Sequence, residues 1–387
     1  MKQVLIVAPS LDTAKNVSGV SAVTNFIISH NRDFEYMHFL QGRSDDERGM
    51  VNRILRSWRN YKAWKALLKD TPCNDPRIIH YNHPLDTPSI IRDYFFLKAA
   101  YKRGKRMVIH VHGGLYLFKE KKPFVIRRIL NEVFRWDCPF IVLSNKEKEE
   151  IQRVYHTKNV FVLPNCVDLP EDDNDNDNHN ENHNHNENHN HNDNHNENHN
   201  HNENHNENEK GLHILYLGRI EPKKGMDYLY EAMRELKKKE GLFTLHLAGV
   251  EQGRHDYVNR FQRLLGDQYV YEGVVSGKQK TELMRRCQVF VLPSLYEGLP
   301  MSLLECMSYG IVPVVTKVGS IGEYVKDGEN GLLIKVEDSD SIVDSLKKLQ
   351  EDRGLLQNLS LAARQTIIDN FQPTNYIKRL NSIYARL

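Results

Sequence analysis

Cysteine is scarce in this chain. Its 387 residues include five, Cys73, Cys138, Cys166, Cys287 and Cys306. The odd number, the wide scatter and the lack of CxxC or other metal-ligand spacing argue against a disulfide framework and a zinc site, and fit a reducing cytosol. Long apolar runs are missing too. No stretch approaches the ~20 apolar residues of a spanning helix, and the run that follows Lys2 is too short for a signal-peptide core. Neither secretion by that route nor a helical anchor is expected. A DxD-type divalent-metal motif at a strand end is also lacking; Asp338-Ser339-Asp340 instead opens a helix, where Asp338 reads as the cap.

Charge of one sign is missing over one long stretch. From Glu171 to Glu209 there are twelve acidic residues and no Lys or Arg, so the near balance of 53 basic and 51 acidic side chains hides an excess of 14 basic charges elsewhere. A basic folded body favours anionic partners: diphosphates, acidic lipid headgroups or nucleic acid. In the same tract Asn fills every even position from Asn174 to Asn208, with His, Asp or Glu between. Without apolar residues it cannot offset the entropy of being ordered, so residues 170–209 read as a disordered linker. At ~40 residues it spans roughly 35 Å, which permits closure of its two flanks without enforcing it. Nine of the 19 histidines lie here, leaving weak metal binding as an alternative to a neutral repeat expansion.

On either side of the tract, short β-branched runs alternate with helix-length amphipathic stretches. Gln3–Ala8, Phe34–Phe39, Ile78–Tyr81, Met107–Val111, Phe140–Leu143 and Val160–Leu163 read as strands. After the tract the series restarts with His213–Leu217, Thr244–Ala248, Tyr269–Glu272, Val289–Leu292, Val312–Thr316 and Leu332–Ile334. This is the pattern of parallel sheets with crossover helices, in two units of α/β class covering residues 1–169 and 210–370.

The most informative segment is Pro293-Ser294-Leu295-Tyr296-Glu297-Gly298-Leu299-Pro300-Met301-Ser302-Leu303-Leu304-Glu305: a strand end, a tight turn and a helix opening near Pro300. Gly298 lets backbone approach a ligand, and amides from Leu299 to Ser302, with Met301 among them, would offer donors to a phosphate. Glu297 and Glu305 would flank that site, since carboxylates accept strong hydrogen bonds from sugar hydroxyls. From these residues alone both Glu read equally as solvated surface charges.

Glu297-x7-Glu305, with Pro293-Ser294 before it and Cys306-Met307-Ser308-Tyr309-Gly310-Ile311-Val312-Pro313-Val314 after it, resembles the donor-binding signature of family 4, group 1 glycosyltransferases. The likeness continues through Val318-Gly319-Ser320-Ile321-Gly322-Glu323, Asp327-Gly328-Glu329-Asn330-Gly331 and Leu217-Gly218-Arg219-Ile220-Glu221-Pro222-Lys223-Lys224-Gly225. Gly322 departs from it, standing where the family commonly has Pro. The resemblance covers nearly all of the second half and the first half only at scattered turns. It implies a GT-B architecture, two Rossmann-like doubly wound domains facing a central cleft, with acceptor bound by the first and nucleotide-sugar donor by the second. It also implies that residues 371–387 form a helix returning to the first domain.

The resemblance assigns the donor hexose to Glu297, the nucleotide ribose to Glu305, and the donor pyrophosphate to Arg219 and Lys224. Two permanent cations just beyond a strand can neutralise a leaving diphosphate without a metal, so no cofactor is expected; a solvated basic loop is the plainer alternative. In the first half, His112-Gly113-Gly114 follows a strand, and in the family a His here lies beside the reacting sugar. His80, His83 and His110 read as structural. The turn Asn16-Val17-Ser18-Gly19-Val20-Ser21 is similar to the family's Gly-Gly turn, with Ser18 in place of one glycine, so that Gly19 amides could approach the donor phosphate. Pro164-Asn165-Cys166-Val167-Asp168 matches the family's crossing segment and reads as structural.

Two stretches bear on the acceptor. Arg53, Arg56, Arg59, Lys62, Lys65 and Lys69 interleave with Leu55, Trp58, Tyr61, Trp64 and Leu68, while Lys119 to Trp136 sets Arg127, Arg128 and Arg135 among Phe124, Ile126, Ile129 and Phe134. Basic helices bearing aromatics can lie on anionic membranes, although the same pattern suits an ordinary helix with a solvated basic face. The expectation is a retaining hexosyltransferase that uses a nucleotide-diphosphate sugar, UDP-sugars favoured, and a glycan or lipid-linked acceptor for surface polysaccharide. It would be cytoplasmic, with peripheral contact at the inner face of the membrane and no nucleic-acid partner. A sugar-nucleotide epimerase on the same fold and a non-enzymatic nucleotide-sugar or metal binder are the rival classes.

Overall fold

The computed structural model describes residues 2–12, 16, 18–42, 50–69, 77–114, 116–170, 211–239, 242–253 and 255–387. The linker reading, except for Pro170, lies outside the described residues, as do Cys73 and Val17.

In the first half β1 (Lys2–Ala8), α1 (Gly19–His30), β2 (Phe34–Leu40), α2 (Met50–Lys69), β3 (Ile78–His83), α3 (Thr87–Tyr101), β4 (Met107–Val111), α4 (Phe124–Val133), β5 (Phe140–Val142), α5 (Asn145–Tyr155) and β6 (Val160–Val162) alternate. The second half runs β7 (Leu212–Leu217), α6 (Met226–Lys238), β8 (Phe243–Ala248), α7 (Tyr257–Leu265), β9 (Tyr269–Gly273), α8 (Gly277–Arg286), β10 (Val289–Leu292), α9 (Met301–Ser308), β11 (Val312–Thr316), α10 (Ile321–Tyr324) and β12 (Leu332–Ile334). Helices α11 (Ser339–Glu351), α12 (Arg353–Asn370) and α13 (Pro373–Tyr384) follow. All twelve expected strands are present, and their ends move by two residues at most. The largest change is at β3, which continues past Tyr81 through Asn82 and His83.

Each half forms one six-stranded parallel sheet, ordered β2-β1-β3-β4-β5-β6 and β12-β11-β10-β7-β8-β9. Strand β10, and β1 from Val4 onward, are apolar and buried because helices cover both faces. In the first sheet the strand order reverses between β1 and β3, and in the second between β7 and β10. Crevices outside the carboxyl ends of such strands are where open α/β sheets bind ligands.

One face of the first sheet packs Trp64 of α2, Phe96 of α3 and Ile126 and Leu130 of α4. The other packs α1 and then α13, which returns from the far end of the chain to lie against β2 and β3. There the Tyr384 hydroxyl lies 2.6 Å from His80 Nδ1, and Asn31 Nδ2 donates to Asn381 Oδ1 at 2.7 Å. Asp338 caps α11 by accepting from the Ser341 amide at 2.9 Å, as its sequence context predicts.

Candidate active site

The loops beyond β7 and β10 meet at the second switch point. Gly225 makes this possible: its φ is +76°, and a Cβ there would lie 2.0 Å from the Pro293 carbonyl oxygen, so only glycine lets the β7 loop pass under the end of β10. Lys224, one residue earlier, donates to Glu297 Oε1 at 2.6 Å, and the Ser294 hydroxyl donates to the same oxygen at 2.7 Å. Glu297 is buried and held as a doubly bonded carboxylate at the cleft.

Helix α9 starts at Met301, with Pro300 as its N-cap and no side-chain cap. The helix opens at Pro300 as expected, but the expected donor amides, Leu299 to Ser302, are corrected. Pro300 has no N–H, Leu299 precedes the helix, and the Leu304 amide bonds back to the Pro300 carbonyl. The first-turn amides without intrahelical partners are those of Met301, Ser302 and Leu303. Glu305, in the second turn of α9, pairs with Lys280 of α8 at 2.7 Å, a partner that no spacing in the sequence suggests.

The first half faces this loop closely. A Cβ on Gly298 would sit 3.0 Å from Gly113 Cα and 3.1 Å from Leu143 Cδ1, so the glycine after Glu297 and the glycine after His112 touch across the cleft. Gly19, the first residue of α1, stands with its notional Cβ 3.9 Å from Met301 Cγ, bringing the starts of α1 and α9 together. Arg219, beyond β7, donates to Asn16 Oδ1 at 3.3 Å, and Asn16 in turn donates to Ser21 Oγ at 2.7 Å. Further bonds join the halves. Asn165 Nδ2 donates to the Leu299 carbonyl at 2.7 Å, and the Tyr324 hydroxyl donates to the Leu143 carbonyl at 3.2 Å. Glu323 accepts from the Asn145 amide at 3.0 Å, at the start of α5.

His112 is half-buried just past β4, with Nε2 2.6 Å from Asn82 Oδ1. Burial, helped by His80 and His83, pushes its pKa down to about 3, so the ring is neutral at physiological pH. His110 lies against it, tilted by 35° at a centroid distance of 4.0 Å, and is fully buried, as is His80. Beneath the Gly113-Gly114 turn lies fully buried Glu147, whose Oε2 accepts from the Leu143 amide at 2.8 Å. Burial raises its pKa to about 7, with Glu323 adding to the rise.

The basic stretches divide in a way their spacing does not show. Trp64 and Leu68 enter the core, whereas Val51, Ile54, Leu55 and Trp58 of α2 are exposed, as are Phe124 and Val125 at the start of α4. Lys62 Nζ lies 3.5 Å from the Trp58 ring centre. Among the described residues no cluster of His, Cys, Asp or Glu is arranged to hold a metal ion, and no helix is long and apolar enough to cross a membrane.

Sequence comparison gives this arrangement relatives. Two family models match, Glycosyl transferases group 1 over residues 197–366 and Glycosyltransferase Family 4 over residues 26–171. The UDP-Gal:alpha-D-GlcNAc-diphosphoundecaprenol alpha-1,3-galactosyltransferase of Escherichia coli is 34% identical over 301 residues, which cover 74% of this chain and 70% of that protein. An uncharacterized glycosyltransferase of Methanocaldococcus jannaschii is 29% identical over 173 residues, so the match spans only 44% of that relative's length. Among solved structures, sucrose-phosphate synthase from Thermosynechococcus elongatus has a TM-score of 0.72 at 15% identity, covering 100% of this chain and 99% of that one. Anabaena HepE in complex with UDP has a TM-score of 0.68 at 16% identity over 100% of both chains. These structural likenesses show a shared fold. A relative one-third identical over most of both chains shows more: the chain belongs to the group 1, family 4 glycosyltransferases, built on the GT-B fold.

Proposed function

We propose that this enzyme is a retaining, metal-independent hexosyltransferase that takes its sugar from a UDP-hexose and delivers it to a lipid-diphosphate-linked glycan in surface polysaccharide assembly. The observation that carries this reading is the Glu297–Lys224 pair at the second switch point, next to the uncapped start of α9. A hexose hydroxyl would donate to Glu297, and the diphosphate would lie against Lys224, Arg219, the Met301 to Leu303 amides and the start of α1 at Gly19. Glu305 is assigned to the ribose. In the reaction the bond from the anomeric carbon to the leaving phosphate oxygen breaks. The acceptor oxygen bonds to the same face of that carbon, and its proton passes to the departing phosphate. Fixed cations and helix amides stabilise the growing charge on that phosphate, the task that dominates such transfers and the one a metal would otherwise perform.

The E. coli relative's name supplies the donor and the lipid-diphosphate class of acceptor. The exposed apolar residues of α2 and α4, set among Arg59, Lys62, Arg127 and Arg128, support seating on an anionic membrane, which we place at the cytoplasmic inner face. No nucleic-acid partner is included in this reading. The test is a thermal-shift comparison of UDP, GDP, ADP and their sugars, because a ligand at 100 times its Kd stabilises by ~2.7 kcal/mol. UDP compounds should raise Tm, and Glu305→Ala should abolish the shift. A shift with GDP or ADP alone would overturn the donor assignment, and conversion of the nucleotide sugar with no acceptor present would reveal an epimerase.

A further inference from the structure

Strands β3 and β4 are buried along their length, yet they carry His80, Asn82, His83 and His110. Buried polar groups need partners, and at Asn82 those partners fix more than the amide itself. Asn82 Nδ2 donates to the Val7 carbonyl at 3.0 Å and to Thr24 Oγ1 at 3.3 Å. The Thr24 hydroxyl has already given its only proton to the Val20 carbonyl at 2.7 Å, so toward Asn82 it can only accept. Two acceptors on one end of the amide settle which end is nitrogen. The oxygen therefore faces His112 Nε2 at 2.6 Å.

An amide oxygen only accepts, so the proton between them belongs to His112 Nε2. Among the described residues the ring has no carboxylate partner; the titratable groups described around it are His110, tilted against its face, and His80 and His83 of β3, and the last two disfavour a second proton. His83 is itself engaged by Asp93 at 3.2 Å, and Arg92 holds the other oxygen of that carboxylate at 2.6 Å. A neutral imidazole with Nε2 protonated has a bare lone pair at Nδ1.

We propose that Asn82 is a positioning residue that locks His112 in its Nε2–H tautomer, so that the imidazole meets the bound sugar through Nδ1 as a neutral hydrogen-bond acceptor. Such a group selects a hydroxyl at that position of the sugar and disfavours a carboxylate or a deoxy centre there, because a site built for one hydroxyl leaves its own polar atom unpaired with any analogue that lacks it. The inference rests on the proposed role of His112 beside the sugar. The tautomer itself does not, which allows the two to fail separately.

The decisive measurement is two-bond nitrogen–proton correlation NMR on the full chain labelled with 15N-histidine, with the His112 ring assigned by its loss in His112→Gln. At pH 7.5 the expected pattern is a protonated, pyrrole-like Nε2 and a pyridine-like Nδ1. A ring protonated at Nδ1, or an imidazolium, overturns the proposal whatever the enzyme transfers. Asn82→Asp supplies the second readout. It keeps an acceptor at Nε2 but places a charge there, which should raise the ring pKa and make kcat fall about tenfold per pH unit below that new value, recovering at higher pH. If Asn82 were only structural, Asn82→Asp would scale activity equally at every pH, and that outcome refutes the positioning role.

Discussion

Lowering the pH from 7 to 5 should weaken the first half of the molecule through His80 and His110, and the size of the effect follows from their burial. Both rings are fully buried. Burial holds His80 down to about 3 and His110 well below its ordinary value, the latter helped by His112 and His80. Unfolding releases them to ~6.5, so below that pH the unfolded chain takes up protons that the folded chain excludes. Their contribution is therefore complete above ~6.5 and is lost as the pH falls, by about 2 kcal/mol for each ring between pH 7 and 5. Glu147 acts in the opposite direction. Burial raises its carboxyl to about 7, so the folded state gains the proton first, and the same acidification returns about 2 kcal/mol.

Single substitutions separate these contributions. His110→Asn keeps an acceptor near the position of Nδ1 for His80, removes one titration, and should shrink the loss between pH 7 and 5 by about 2 kcal/mol; Glu147→Gln should enlarge it by the same amount. Urea titrations followed by tryptophan fluorescence suit the question, because Trp58, Trp64 and Trp136 all lie in the first half. If wild type and His110→Asn lose the same stability on acidification, His110 is not buried as a neutral ring and the argument fails.

Two other substitutions probe the joints of the site. Gly298→Ala would push a methyl to 3.0 Å from Gly113 Cα, so kcat/KM should fall at least tenfold with Tm little changed, measured by transfer assay and calorimetry; full activity would mean that the two glycine turns do not meet during turnover. Tyr384→Phe removes the hydroxyl 2.6 Å from His80 Nδ1, at a cost of about 1–3 kcal/mol in the first half and with no change in donor binding. An unchanged denaturation midpoint would show that the Tyr384 hydroxyl adds nothing to the seating of α13.

The elements that local reading recovered are those whose tertiary constraint leaves its mark on the segment itself, as an apolar run or a glycine. Val289–Leu292 is apolar because helices cover both of its faces, and Gly225 is small because Pro293 crosses it. The residues proposed to touch substrate were visible for a related reason: an open α/β sheet presents its ligand groups just beyond strand ends, where Glu297, Arg219 and His112 all stand. What was missed answers to partners far away in sequence. Polar Asn82 and His83 look like the end of β3, since nothing nearby says that Val7, Thr24 and Asp93 will meet them. Trp58 and Trp64 occupy one helix with similar neighbours, and only the packing of α3 and β1 to β4 against α2 decides that the second is core and the first is surface. Lys280 beside Glu305 and Glu323 at the start of α5 follow the same rule. A group that meets the substrate is placed by its own strand, but the group that fixes its proton is placed by the whole sheet. The tautomer of His112 can therefore be read only after β1, α1 and β3 have been assembled around Asn82.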